Sequence, residues 1–92
     1  MALYTLVVEY AGGTYISQVK ARSPKAACVR WAEKLGDSRV EGLGLKGKES
    51  LLEQMKEETP VAVDGVLNAW CHTALVRTEQ ERNDLLRVSA LA

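Results

Sequence analysis

Net charge is the first thing this sequence lacks. Twelve Lys and Arg offset twelve Asp and Glu, which removes the excess of positive charge behind most nonspecific affinity for nucleic acid or anionic lipid. Lys20, Arg22, Lys25 and Arg30 cluster locally, but on that balance they read as a solvated rim. No apolar run approaches the roughly 18 residues of a membrane span. Met1-Ala2-Leu3-Tyr4 also has no basic region before an apolar stretch, so the expectation is a cytoplasmic protein without membrane contact. Only two prolines and no low-complexity tract argue against disorder. The two cysteines, Cys28 and Cys71, lack CxxC spacing and read as free, buried thiols rather than a disulfide.

Catalytic and ligand-binding signatures are missing as well. His72 is the sole histidine, and a zinc site needs clustered Cys or carboxylate partners beside it. Cys71 is adjacent, but neighbours in a strand point to opposite faces. A Cys28–His72 dyad would need the helix carrying Cys28 to pack on the His72 side of the sheet, and a cysteine on an apolar helical stripe reads as core. Gly42, Gly44 and Gly47 with Lys46 and Lys48 suggest a phosphate loop, yet Gly47-Lys48 is followed by Glu49 instead of the required Ser or Thr. The expectation is therefore no catalytic, metal or cofactor-binding residue and no cofactor. His72 reads as a surface or half-buried structural residue.

What is present is enough for one core. The 92 residues, 47% hydrophobic and 26% charged, make a single domain over 1–92. If Gly12-Gly13 form a tight turn, Tyr10 faces Tyr15, Val8 faces Ser17, Leu6 faces Val19 and Tyr4 faces Ala21 on one apolar face. The other face then pairs Glu9 with Ile16, Val7 with Gln18, Thr5 with Lys20 and Leu3 with Arg22. Ser23 suits an N-cap and Pro24 the first helical position. The helix runs to Leu35, with Pro24, Ala27, Cys28, Trp31 and Leu35 on its apolar stripe, Val29 nearly opposite and exposed, and Gly36 as its stop.

From Asp37 to Gly47 the alternating glycines read as a loop or irregular strand. Lys48 to Glu57 reads as a second helix with Leu51, Leu52 and Met55 inward, ended by Thr59-Pro60. A strand over Val66 to Thr78 carries apolar residues on both parities, and Leu85 to Leu91 returns antiparallel to it. Asp64-Gly65 is either a tight turn after Val61-Ala62-Val63 or the approach to that strand. The predicted architecture is α+β, order β-β-α-α-β-β, a four-stranded antiparallel sheet with helices mainly on one face.

Two short helices cover roughly one face of such a sheet. Leu3, Val7 and Ile16 then lie on the other face and are the candidate partner-binding residues. Covering them falls either to the 37–47 loop or C-terminal segment, or to another molecule; self-association as a homodimer fits the latter. The leading function is a non-catalytic protein-interaction module acting through a sheet face or edge. The alternatives are a small-ligand binding protein with a pocket between sheet and helices near Trp31, Trp70 and His72, and a thiol-dependent enzyme using Cys28 or Cys71 with His72.

Tyr4-Thr5-Leu6-Val7-Val8-Glu9-Tyr10, Gly12-Gly13-Thr14-Tyr15 and the Ser23-to-Leu35 helix with Ala26-Ala27 resemble the opening of HicB-type antitoxin domains, over about a third of the chain. Those domains carry a further strand with a Pro-Gly-Cys element before the helix, whereas here Arg22 leads directly into Ser23-Pro24. The resemblance implies a non-catalytic protein that binds a protein partner such as a toxin; it transfers no site residue.

Overall fold

The computed structural model describes residues 1–35 and 40–92. In chain order they form β1 (Ala2–Tyr10), β2 (Gly13–Ala21), α1 (Pro24–Glu33), α2 (Gly44–Glu57), β3 (Val61–Ala62), β4 (Ala69–Arg77) and β5 (Asn83–Leu91). The strands make one antiparallel sheet in the order β2-β1-β5-β4-β3. The α+β class, the two helices and the antiparallel pairing match the sequence expectation. The strand count does not, since the sheet has five strands and the element order is β-β-α-α-β-β-β.

The added strand is Val61–Ala62, paired with Cys71 and Trp70; so short a strand leaves no periodic signal. After it the Val66 N–H donates to the Val63 carbonyl at 3.2 Å, making Asp64-Gly65 a tight turn with Gly65 at φ 76°. Asn68 then adopts φ 57°, which breaks the extended backbone. Hence β4 starts at Ala69 instead of Val66, and Val66 and Leu67 stand exposed.

The first hairpin turns on Ala11-Gly12, not Gly12-Gly13. Tyr10 lies opposite Gly13, Val8 opposite Tyr15, Leu6 opposite Ser17 and Tyr4 opposite Val19. Ala11 at φ 49° and Gly12 at φ 82° supply the two left-handed residues of a primed turn. Gly13 serves a different purpose: the Tyr15 ring folds over it, and a Cβ there would come within 2.7 Å of the Tyr15 hydroxyl. The pairing differs from the expected one by two residues, which preserves the faces because side chains alternate with period two. Tyr4, Leu6, Val8 and Tyr10 are all buried beneath the helices, while Leu3 and Ile16 point the other way.

Both helices pack on that one face. The Ser23 hydroxyl accepts from the Ala26 N–H at 3.1 Å and caps α1. Ala27, Cys28, Trp31 and Leu35 are buried as their stripe predicts, whereas Pro24 in the first turn is only half-buried, and the helix proper ends at Glu33. The expected stop at Gly36 and the start of the expected loop fall outside the described residues. Val29 is half-buried against the core rather than exposed, because α2 packs along α1. Helix α2 begins at Gly44, four residues before its expected start at Lys48. Gly47 sits under the buried Leu43, whose Cδ1 a Cβ would approach to 2.8 Å. The first turn of α2 has no acid of its own, and the Glu79 carboxyl lies against Gly44, next to the positive end of the helix dipole.

Two substitutions test this core. Leu6→Ala, in the second strand of the sheet and fully buried, lowers unfolding free energy in urea by about 2–5 kcal/mol. Ser23→Ala removes the cap and costs about 1 kcal/mol, whereas Ser23→Asp keeps most of it because a carboxylate accepts the same N–H.

Candidate interaction surface

Among the described residues nothing packs on the second face of the sheet. Register places Ile16, Val7, Ser89, Cys71 and Val61 side by side in one row across all five strands. Next to it runs a polar row of Thr14, Glu9, Arg87 and Thr73. Ile16 is 67% exposed and Leu3 49%, while Val7, central in the row, is half-buried. Leu75 and Leu85 pair on the same face at the far end of the β4–β5 hairpin, both exposed. The three candidate residues therefore share the open face, but with polar neighbours between the apolar ones. The C-terminal segment, one of the expected covers, is instead a strand inside the sheet.

The two edges of the sheet are treated differently. Beyond its short pairing with β3, the outer side of β4 is met by α2 at Leu75 and Arg77. The Gln54 side chain donates through Nε2 to the Leu75 carbonyl at 2.6 Å and accepts the Leu75 N–H through Oε1 at 3.1 Å. The Ser50 hydroxyl accepts the Arg77 N–H at 3.0 Å. A side-chain amide presents an N–H donor and a carbonyl acceptor side by side, and through them Gln54 meets both backbone groups of Leu75 as a strand residue would. Covering an edge with a helix is one way to block unwanted pairing.

Among the described residues the outer edge of β2 has one such cover, at its end. Two-residue hairpins place a hydrogen-bonded pair next to the turn, and antiparallel ladders then alternate. With Tyr10 opposite Gly13, the backbone groups of Thr14, Ile16, Gln18 and Lys20 point outward. The Lys20 carbonyl accepts from the Arg30 guanidinium at 3.0 Å. For Thr14, Ile16 and Gln18 no backbone partner exists among the described residues. Between this edge and α1 lies a groove of about 210 Å³ lined by Ser17, Gln18, Val19, Trp31, Lys34 and Leu35. It is followed along the strand by a smaller hollow of about 110 Å³ that reaches Tyr15 and Val40.

The other sequence candidates are not brought together. His72 is buried, with Nε2 3.2 Å from Glu58 Oε1 but off the line of a hydrogen bond. It lines a hollow on the β4 side with Glu58 and Cys71, whereas Trp31 lines the β2 groove. Trp70 stacks edge-on against Tyr4 at 5.9 Å between centroids. Cys28 and Cys71 are free. Burial, with a smaller contribution from Cys71, pushes the Cys28 thiol up to about 11. No group of three His, Cys, Asp or Glu able to hold a metal occurs among the described residues, and no helix is long and apolar enough to cross a membrane. What sequence reasoning missed is the β2 edge itself. Its only signal was the uncharged run Thr14 to Gln18.

Compared with models of protein families, with curated proteins and with solved structures, the chain matches none of them. Fold and surface define it as a small α+β domain whose antiparallel sheet is covered on one face and capped along most of one edge.

Three outcomes follow from the geometry. Gln54→Ala destabilises by about 1 kcal/mol and speeds hydrogen exchange selectively at the Leu75 amide. Thiol reagent at neutral pH modifies Cys71 first, while Cys28 reacts only on unfolding. Because the Cys28 thiol titrates higher when folded than its ordinary value near 9, its contribution to stability is present below that value and lost as pH rises through about 11. Thermal unfolding of Cys28→Ala therefore shows a shallower alkaline decline than the wild type.

Proposed function

We propose that this chain is a non-catalytic protein-interaction module that engages a protein partner along the outer edge of β2. The observation that carries the reading is the contrast between edges: Gln54 and Ser50 seal β4, while Thr14, Ile16 and Gln18 keep outward amides beside the Trp31 groove. An extended segment adding to such an edge gains main-chain hydrogen bonds, and its alternate side chains enter the groove. Ile16 and, one strand in, Val7 and Leu3 extend the contact on the open face. The resemblance of the first third to HicB-type antitoxin domains supports a role of the antitoxin or immunity kind, carried out in the cytoplasm.

An enzymatic role finds less support. The Cys28 thiol is buried and protonated at neutral pH. Cys71 and His72 occupy successive, oppositely directed positions of β4.

Selection of extended peptides from a random displayed library, followed by amide mapping, tests the reading. Bound peptides protect the amides of Thr14, Ile16 and Gln18 from exchange and change Trp31 emission. Peptides N-methylated at alternate positions lose binding. If no selected peptide protects those amides while a small metabolite changes Trp31 emission, the groove is a ligand pocket and the docking reading is wrong.

A further inference from the structure

We infer that the occupant of the β2 edge is a second copy of this chain, added antiparallel with Ile16 opposite Ile16 of that copy. This rests on the reading of β2 as a docking edge and adds the identity and register of what docks there. A strand pairing with itself about a two-fold axis is the simplest closed arrangement, because the same surface serves both partners.

The register follows from which backbone groups are available. Only Thr14, Ile16, Gln18 and Lys20 point outward, and the Lys20 carbonyl is held by Arg30. Placing Ser17 or Gln18 on the axis would set Lys20 against the second copy and break that bond. Placing Tyr15 on the axis would leave Gln18 against a turn. With Ile16 on the axis, Ile16 faces Ile16 and each Thr14 faces a Gln18. This gives three hydrogen-bonded pairs, about six backbone hydrogen bonds, with the Lys20–Arg30 contact intact.

Side chains and charges agree with that register. On the helix side, Tyr15 comes opposite Ser17 of the other copy and Val19 opposite Gly13, large against small in each case. On the open face the two exposed Ile16 side chains meet, extending the row of Val7, Ser89, Cys71 and Val61 through the axis. Lys34 lines the groove at the level of Gln18. Glu41 lies at the other end, where its N–H donates to the Tyr15 hydroxyl at 3.1 Å. Antiparallel pairing brings the Gln18 end of one copy to the Thr14 end of the other, so each Lys34 meets a Glu41 at the same level of the helix layer. The Thr14 to Gln18 stretch has no charge of its own to oppose the join.

Sedimentation equilibrium of the full chain, with cysteine cross-linking, decides the matter. In a Cys71→Ser background, Ile16→Cys forms a disulfide-linked dimer on mild oxidation, since hydrogen-bonded antiparallel pairs lie about 5.5 Å apart at Cα, inside the range a disulfide bridges. Gln18→Cys in the same background stays monomeric on denaturing gels. Ile16→Lys, at an exposed position that leaves the monomer fold intact, weakens dimerisation by more than about tenfold, because two ammonium groups are forced together. Lys34→Glu and Glu41→Lys each weaken it by about tenfold, and the double variant returns to near wild type. A chain that stays monomeric at millimolar concentration overturns the second copy; selected peptides that still protect the β2 amides then preserve the docking reading, and their absence removes it too. A dimer insensitive to all these substitutions, or cross-linked at Gln18 rather than Ile16, overturns the register and the edge.

Discussion

The pairing of β1 with β5 is the contact on which the rest of the structure depends. Thr5 to Tyr10 lie against Leu91 to Leu86, so residues from the two ends of the chain form the middle of the sheet. Without it there are two separate pieces, the β1–β2 hairpin and the β4–β5 hairpin with short β3 at its side, and neither forms the continuous face that both helices cover. With it, Leu6 and Val8 stand beside Ala90 and Val88, and one continuous floor lies under both helices. The Tyr10 hydroxyl fastens the turn end of this seam by donating to Asp84 at 3.0 Å. Burial, followed by the hydrogen bond and charge of Asp84, raises the Tyr10 phenol above its ordinary value, keeping it a donor.

That seam also decides what remains outside. Placing β5 inside sends β2 to one edge and β4 with β3 to the other. Helix α1 leans over β2 and helix α2 over β4, so the two edges have different neighbours. Over β4, Gln54 and Ser50 reach the strand backbone. Over β2, among the described residues, Arg30 alone does so, at the Lys20 end, while Trp31 and Leu35 line the groove beside the strand. The difference between a sealed edge and an open groove comes from which helical side chains stand next to each strand.

Much of this was legible in the residues, and the losses have specific causes. The alternation in Leu3 to Ala21 fixed the faces of the first hairpin, but its turn lies on Ala11, a residue type that gives no warning of a left-handed backbone. The Ser23-Pro24 start and the Trp31 stripe were readable because caps and helical periodicity are local. Gly44 and Gly47 resembled a loop because their use, close approach by Glu79 and Leu43, depends on packing. Leu3, Val7 and Ile16 lie on the face opposite the helices, which the two-residue alternation alone is enough to predict. The edge was not legible, because Gln54 reads as an ordinary polar helical residue until the fold sets it 21 positions away in sequence, against Leu75.

The seal on β4 has a consequence for the kind of assembly the molecule can form. A sheet with two open edges can grow head to tail: the edge of one copy adds to the opposite edge of the next, and where the rotation between copies closes no ring the product is an open filament. With Gln54 and Ser50 occupying Leu75 and Arg77, and β3 paired at Ala62 and Val61, a further strand finds little free backbone on that side of β4. Two polar side chains on one helix thus stand against strand addition at the Leu75 and Arg77 end of β4, a protection that neither net charge nor surface hydrophobicity would reveal.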